Sequence, residues 1–189
     1  MADERNFEPP PIDYRKFAAA LDYYEPLGYS YLEVPWVIST EAVVATLPPG
    51  GIATRVQYGE LVGSAEQAFI ELILRGREVL KACAVTPCFR IENSYDELHH
   101  PYFMKLELIN TDTSPGNLYQ MINAAQGFFQ RYIETDIEQT GPHAYDIVDK
   151  KRRIELGSYG IRHLDIDVGS FIYGTGLALP RFDTVLSQD

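Results

Sequence analysis

Cysteine is scarce in this sequence. Cys83 and Cys88 are the only two among 189 residues, which excludes a disulfide-stapled secreted scaffold. Their spacing has no second half, so a structural zinc site is excluded on the same ground. Both read as small apolar core residues. Long apolar runs are missing too. No stretch reaches the ~18 apolar residues of a membrane span, and the charged, proline-rich start lacks the apolar segment of a signal peptide. The expectation is a soluble, cytoplasmic protein with no membrane partner. Positive charge is under-represented: 16 Lys and Arg stand against 27 Asp and Glu, a formal net charge of −11. Such a chain repels a polyanion on average, which argues against non-specific nucleic-acid binding. Residues 150–153 (KKRR) are the one basic cluster, and their plainer reading is a solvated hairpin tip.

What is present is ordinary for a folded protein, with 46% hydrophobic and 23% charged residues. The length suits one folding unit at ~100–200 residues per domain. Residues 1–12 read as a loose arm and 13–189 as a single domain.

Hydrophobic spacing and turn residues predict the elements. Asp13 caps a helix over 13–24, with Phe17, Ala20, Leu21 and Tyr24 on one face, and Pro26 and Gly28 end it. Residues 29–34 read as a strand closed by Pro35, and 48–51 (PPGG) as a turn. A second helix is predicted over 64–75, with Ser64 and Gln67 as a capping box and Gly76 past its end. Strands are expected over 81–91 and 102–109, a long helix over 117–139, a hairpin of 145–149 with 152–156, a short strand at 171–173, a turn at 174–176 and a last helix over 177–186. Strands and helices mix without a regular βαβ rhythm. This predicts an α+β fold: an antiparallel sheet flanked by helices.

Three segments hold residues suited to chemistry. On two paired strands Arg90, Glu92, Phe103 and Glu107 fall at alternate positions and share a face. A guanidinium fork suits a phosphate or carboxylate, and an aromatic ring suits a purine. A cross-strand salt bridge on an exposed face is the plainer alternative. At 174–181 (GTGLALPR), Gly174 and Gly176 would let a turn approach a ligand ahead of a helix N-terminus, with Arg181 beyond; a plain turn is the alternative. Residues 153–162 (RIELGSYGIR) are an ordinary strand and turn or a third part of the site.

Together, and in their order, these segments resemble the class II aminoacyl-tRNA synthetase family over about residues 13–186. The helix followed by 28–35 (GYSYLEVP) resembles its motif 1. Residues 89–92 (FRIE) with His99, Phe103 and Glu107 resemble motif 2 and match the spacing (R/H)xxxFxxx(D/E). Residues 174–181 resemble motif 3, normally GxGxGxxR, with Ala178 in place of the third glycine and Pro180 before the arginine. Residues 61–66 (LVGSAE) resemble a loop that holds the substrate amine, and 155–160 (ELGSYG) the strand facing ATP and magnesium. Glu155, Ser158, Gly160 and Arg162 also resemble ammonia-dependent asparagine synthetase, a paralogue of these enzymes.

The resemblance implies an ATP-dependent ligase that forms an aminoacyl-adenylate with ATP and Mg²⁺. By carry-over, Arg90 binds the ATP α-phosphate and the amino-acid carboxylate, Glu92 the adenine amino group, and His99 the γ-phosphate. Phe103 stacks under the adenine, Arg181 lies over it, and Gly174 and Gly176 border the nucleotide. Glu155 and Ser158 hold the metal. Ser64, Glu66 and Glu107 lie on the amino-acid side, and Gln67, Tyr145 and His163 are further pocket candidates. Arg90 and Arg181 are the catalytic pair. The resemblance also implies a homodimer through 13–36, which carries Phe17, Leu21, Tyr23, Tyr24, Tyr29, Tyr31 and Trp36. Little of the chain lies outside the resembling region, so no anticodon-binding domain is expected. The acceptor is then expected to be a small metabolite, a carrier protein or ammonia, with tRNA disfavoured by charge. The competing readings are a catalytically silent paralogue serving as an accessory subunit, and the catalytic part of a true tRNA synthetase.

Overall fold

A seven-stranded sheet organises the chain in the computed structural model, which describes residues 10–91 and 95–187. Its strands are β1 (Ser30–Tyr31), β5 (Lys81–Phe89), β6 (Tyr102–Asn110), β10 (Ser170–Leu179), β9 (Glu155–His163), β8 (Ala144–Asp149) and β7 (Thr135–Gly141), in that spatial order. Every neighbouring pair is antiparallel except β1, which runs parallel to β5. A smaller sheet is made by β2 (Val37–Ile38), β4 (Gly59–Leu61) and β3 (Arg55–Val56). The α+β architecture read from the sequence is the one observed. No helix among the described residues is long and apolar enough to cross a membrane.

The two faces of the large sheet bury different things. One is covered by α1 (Tyr14–Tyr24), α4 (Asn117–Phe129) and α5 (Arg181–Ser187), whose Phe17, Tyr24, Met121, Phe128 and Phe182 pack on Leu106, Tyr159, Ile172 and Leu177. Asp13 caps α1 by accepting from the Arg15 amide, and the buried Phe17, Ala20 and Tyr24 lie at helical spacing. The Tyr24 hydroxyl donates to the Gly176 carbonyl at 3.0 Å, and Lys16 pairs with Asp183 of α5. The other face is partly covered by α2 (Thr40–Val44) and α3 (Ala65–Leu74), which pack with Ala82, Ala84, Ile109 and Phe171. Over β6, β10 and β9 this second face opens into a cavity.

The structure corrects several sequence expectations. The helix expected over 117–139 is α4, which ends at Phe129; 135–141 form the edge strand β7. Ile133 and Ile137 are four apart, which suits a helix, but accessibility over 136–139 alternates with the period of a strand. The strand expected at 29–34 is confined to β1, although the Leu32 amide still bonds the Cys83 carbonyl. The turn expected at 174–176 is the middle of β10, and Arg181 is the first residue of α5.

Within β10 the register slips by one residue. Thr175 pairs with Glu107 and Leu177 with Leu106, so Gly176 is supernumerary. Tyr173 and Thr175 face the cavity before the slip, and Ala178 and Pro180 do so after it. Ile172, Leu177 and Leu179 face the helices.

Candidate active site

The N-terminus of α3 is held down by the sheet. The Glu66 amide donates to Glu107 Oε2 of β6 at 2.9 Å. Gln67 reaches back so that its Oε1 accepts from the Gly63 amide at 2.7 Å. The capping box expected at Ser64 is therefore replaced: the Ser64 side chain makes no cap bond, although its carbonyl accepts from the Gln67 amide. The first turn of α3 thus carries Glu66 into the cavity from above the sheet.

A charged cluster forms where α3, β6 and β9 meet. Arg162 Nε donates to Glu66 Oε1 at 2.5 Å, and Lys105 Nζ donates to Glu107 Oε1 at 2.6 Å. Both Glu107 oxygens are thereby engaged, so Glu107 positions Glu66 rather than presenting a free carboxylate. The Arg162 guanidinium lies 4.9 Å from the centre of the Tyr173 ring. Burial pushes the Glu66 carboxyl above its ordinary pKa, and Arg162 pulls against that rise. Burial likewise opposes the Arg162 charge, but Glu66 outweighs it and the guanidinium pKa is raised. Buried pairs of this kind are costly to desolvate, so the cluster is weak grounds for stability and better grounds for a site.

Toward the other part of the cavity, Arg90 lies just past β5, where its amide bonds the Pro101 carbonyl. Its guanidinium sits 5.1 Å from the centre of the Phe103 ring, and its Nε donates to the Gly63 carbonyl at 3.2 Å. Arg181, opening α5, has Nη1 3.4 Å from Glu155 Oε1 of β9. The Ser158 hydroxyl donates to Asp146 Oδ1 of β8 at 2.6 Å. Burial raises the Asp146 carboxyl pKa against the opposing Ser158 bond. Arg90, Phe103, Glu107, Glu66, Ser64, Glu155, Ser158 and Arg181 therefore line one cavity of about 940 Å³. That volume falls within the size of small-molecule sites, ~300–1,000 Å³.

Other expected residues lie elsewhere. Gly174 and Gly176 face the helices: a Cβ on Gly174 would meet Tyr159 and Met121, and one on Gly176 would meet Leu106 and Tyr24. They allow close packing beneath the site and do not border the cavity. His99 does not line it either. Its Nδ1 lies 2.8 Å from Asp96 Oδ1, which also accepts from the Leu98 and His99 amides, while the neighbouring His100 lines the cavity. Tyr145 bonds the Tyr119 hydroxyl at 2.8 Å, His163 bonds Ser170, and neither lines the cavity; Gln67 does. Glu92 lies outside the described residues.

Tyr173, Lys105 and Asp146 were not among the expected site residues, and Arg162 stood only at the end of the third candidate segment, with no role assigned to it. Alternation along a single strand from Ser158 reaches Arg162, so that signal was present in the sequence. The partnership of Arg162 with Glu66 spans 96 positions and has no local signature.

No protein-family model matches the chain, and no curated protein matches it in sequence. Solved structures do. A pyrrolysyl tRNA synthetase from Desulfitobacterium hafniense is 15% identical with a TM-score of 0.73, over 95% of this chain and 68% of that one. Seryl-tRNA synthetase from Pyrococcus horikoshii, complexed with ATP, is 17% identical with a TM-score of 0.69, over 88% and 48%. Cytoplasmic serine-tRNA ligase from Naegleria fowleri, in complex with AMP, is 14% identical with a TM-score of 0.66, over 87% and 46%. The chain spans less than half of each of these last two proteins. Its fold is that of the class II aminoacyl-tRNA synthetase catalytic core.

Proposed function

We propose that the cavity binds ATP and an amino acid and joins them as an aminoacyl-adenylate. The observation that carries this reading is the convergence of Arg90 on Phe103, Arg181 by Glu155, and the buried Glu66 on one cavity of a synthetase-type sheet. Adenine stacks on Phe103 in place of the Arg90 guanidinium, which turns its fork to the α-phosphate. Arg181 meets the outer phosphates. Glu66 receives the substrate ammonium. A carboxylate oxygen of the amino acid attacks the α-phosphorus, a P–O bond forms, and the bond to the leaving pyrophosphate breaks. No protein base takes part, because the nucleophile is already ionised at neutral pH. Catalysis is positioning and charge neutralisation by the two arginines.

Magnesium fits the residues present. Among the described residues no group of three or more His, Cys, Asp or Glu converges on one point. Mg²⁺ at a nucleotide needs less, because one or two carboxylates and the phosphates hold it. Glu155, with Ser158 and its partner Asp146, offers the hard oxygen donors required. Bound there, the ion would supply neutralisation of phosphate charge.

The acceptor is a small metabolite, a carrier protein or ammonia rather than a whole tRNA. The basic cluster at 150–153 is matched by acids: Lys150 pairs with Glu134 at 3.0 Å, Arg152 with Asp149 at 3.5 Å, and Arg153 with Asp136 and Glu138. Phosphates would have to displace these partners. A second reading, the catalytic part of a true tRNA synthetase, is favoured by the similar structures, which are tRNA synthetases of greater length. The proposed assembly is a homodimer. Phe17, Tyr24 and Tyr29 lie in the chain's own core, so they are not interface residues as expected. Tyr31 and Trp36 remain 46% and 48% exposed and are the residues a partner would cover.

The test is ATP–pyrophosphate exchange with each of the twenty amino acids, followed by charging of total tRNA at ~0.15 M salt. Exchange with at least one amino acid is expected, without tRNA charging at a matching rate. ATP binding without exchange would favour a silent paralogue. Matched charging would identify tRNA as the acceptor.

A further inference from the structure

Gly63 is held from three directions at the edge of the cavity. The peptide that precedes it is pinned at both ends: the Val62 carbonyl accepts from the Phe89 amide at 2.9 Å, and the Gly63 amide donates to Gln67 Oε1 at 2.7 Å. The Gly63 carbonyl then accepts from Arg90 Nε at 3.2 Å. A glycine has no side chain to fix its orientation, so these bonds decide where that carbonyl points. The Gln67 carboxamide is engaged at its other end as well. The residue is 4% exposed, and its Nε2 donates to the Val43 carbonyl at 3.2 Å. Val43 is the root of a wall that carries no charged residue: residues 45–53 all line the cavity. One buried carboxamide therefore ties together the wall, Gly63 and, through Gly63, Arg90.

The arrangement matters because Arg90 has to move. Its guanidinium rests 5.1 Å from the centre of the Phe103 ring, and it must leave that ring to adenine and face the α-phosphate. An arginine anchored at Nε can make this turn without losing its anchor, since Nε spends one hydrogen and both Nη groups keep theirs. The Arg90 backbone is fixed too, by its amide on the Pro101 carbonyl. The Gly63 carbonyl is then a pivot, and the guanidinium reaches the phosphate along a set direction. We propose that Gln67 is a positioning residue for Arg90. Both ends of its carboxamide are bound to backbone, so it sets the carbonyl on which the guanidinium turns and leaves the substrates to other residues. This rests on the adenylate-forming reading above.

The experiment compares exchange kinetics of the full chain with those of Gln67→Met, and measures ATP binding by calorimetry. Methionine keeps the length of the side chain and loses both bonds. Its kcat should fall at least ~10-fold, since a misplacement of about 1 Å can cost ~10²-fold. ATP affinity should stay near the parent's, because the loss falls on the transition state. The same substitution in an Arg90→Ala background should slow exchange no further, as residues acting through one another are not additive. An equal loss in both backgrounds would mean that Gln67 supports only the fold or the amino-acid side, and overturns the assignment. A Gln67→Met protein with the parent's kcat overturns it as well, and leaves adenylate formation standing. Gln67→Glu keeps an acceptor for the Gly63 amide and gives up the bond to Val43, whose carbonyl retains the Thr46 and Leu47 amides. This variant should exchange faster than Gln67→Met. If the methionine variant does not fold, a folded Gln67→Glu protein that has lost exchange tenfold or more, about the loss assigned to a misplaced Arg90, overturns the assignment. A parent that binds ATP and exchanges with no amino acid overturns both this assignment and the reading beneath it.

Discussion

Substituting Gly174 by alanine tests where the motif-like glycines act. The added Cβ would lie 2.4 Å from Tyr159 Cδ1 and 2.7 Å from Met121 Sδ, far inside contact distance. The methionine can move aside. The tyrosine ring cannot, because it is fully buried and its hydroxyl donates to the Thr175 carbonyl at 2.5 Å. Overpacking of this kind costs about 1–3 kcal/mol. At this chain length each kcal/mol lowers the melting midpoint by roughly 2–4 °C, so Gly174→Ala should melt ~2–12 °C below the parent. Calorimetric melting gives that number, and an ATP titration of the same protein below its melting range should show affinity close to the parent's. An unchanged midpoint with ATP affinity lost tenfold or more would refute the reasoning, since it would place the glycine against the nucleotide.

Three further outcomes are expected. Arg90→Ala should lower exchange by at least ~3 kcal/mol of transition-state stabilisation while the fold survives, because Arg90 is exposed and outside the core; an exchange-active variant removes Arg90 from the site. Sedimentation should give twice the chain mass, with Trp36→Glu shifting the protein toward monomer; a parent that stays monomeric at every concentration refutes the dimer. Glu71→Gln should destabilise the protein by about 1–3 kcal/mol at neutral pH. Burial pushes the Glu71 carboxyl up, but bonds from the Ser39 amide and hydroxyl and from Arg75 outweigh it and leave its pKa lowered. A lowered folded pKa contributes stability above the unfolded value and loses it as pH falls through the folded one. The difference between parent and variant should therefore shrink on acidification, which denaturant unfolding across pH would measure.

How far the sequence revealed the fold depended on the range of the interactions responsible. The Asp13 cap and the Phe17, Ala20, Tyr24 face of α1 are local and were legible. The strands that bring Arg90 and Phe103 together were legible as well, the second from its alternation and the first as a short apolar run. The end of α4 was not, since the spacing of Ile133 and Ile137 fits a helix as well as a strand, and pairing of β7 with β8 decided the matter. Gly174 and Gly176 read as a turn because glycine's commonest use is conformational. Here neither has the positive φ that would require glycine, and both are needed for clearance from side chains remote in sequence. The Arg162–Glu66 pair was hidden for a related reason: each residue is ordinary in its own segment until the sheet brings β9 under α3.

The one-residue slip at Gly176 leaves a pattern that any large collection of variants of this chain would record. Upstream of it, odd-numbered positions of β10 serve the cavity and even-numbered ones the helical layer; downstream the parity is reversed. Tolerance for polar replacements along 171–180 should follow two interleaved rhythms that change phase at one glycine. A deletion at that position would shorten the strand without turning it over. Leu177 would follow Thr175 directly, still opposite Leu106 and facing the helices, and Ala178 would stay on the cavity side, so the two rhythms would merge into one. A residue added or removed anywhere else in the strand has no such outlet and exchanges the inside of one half for its outside.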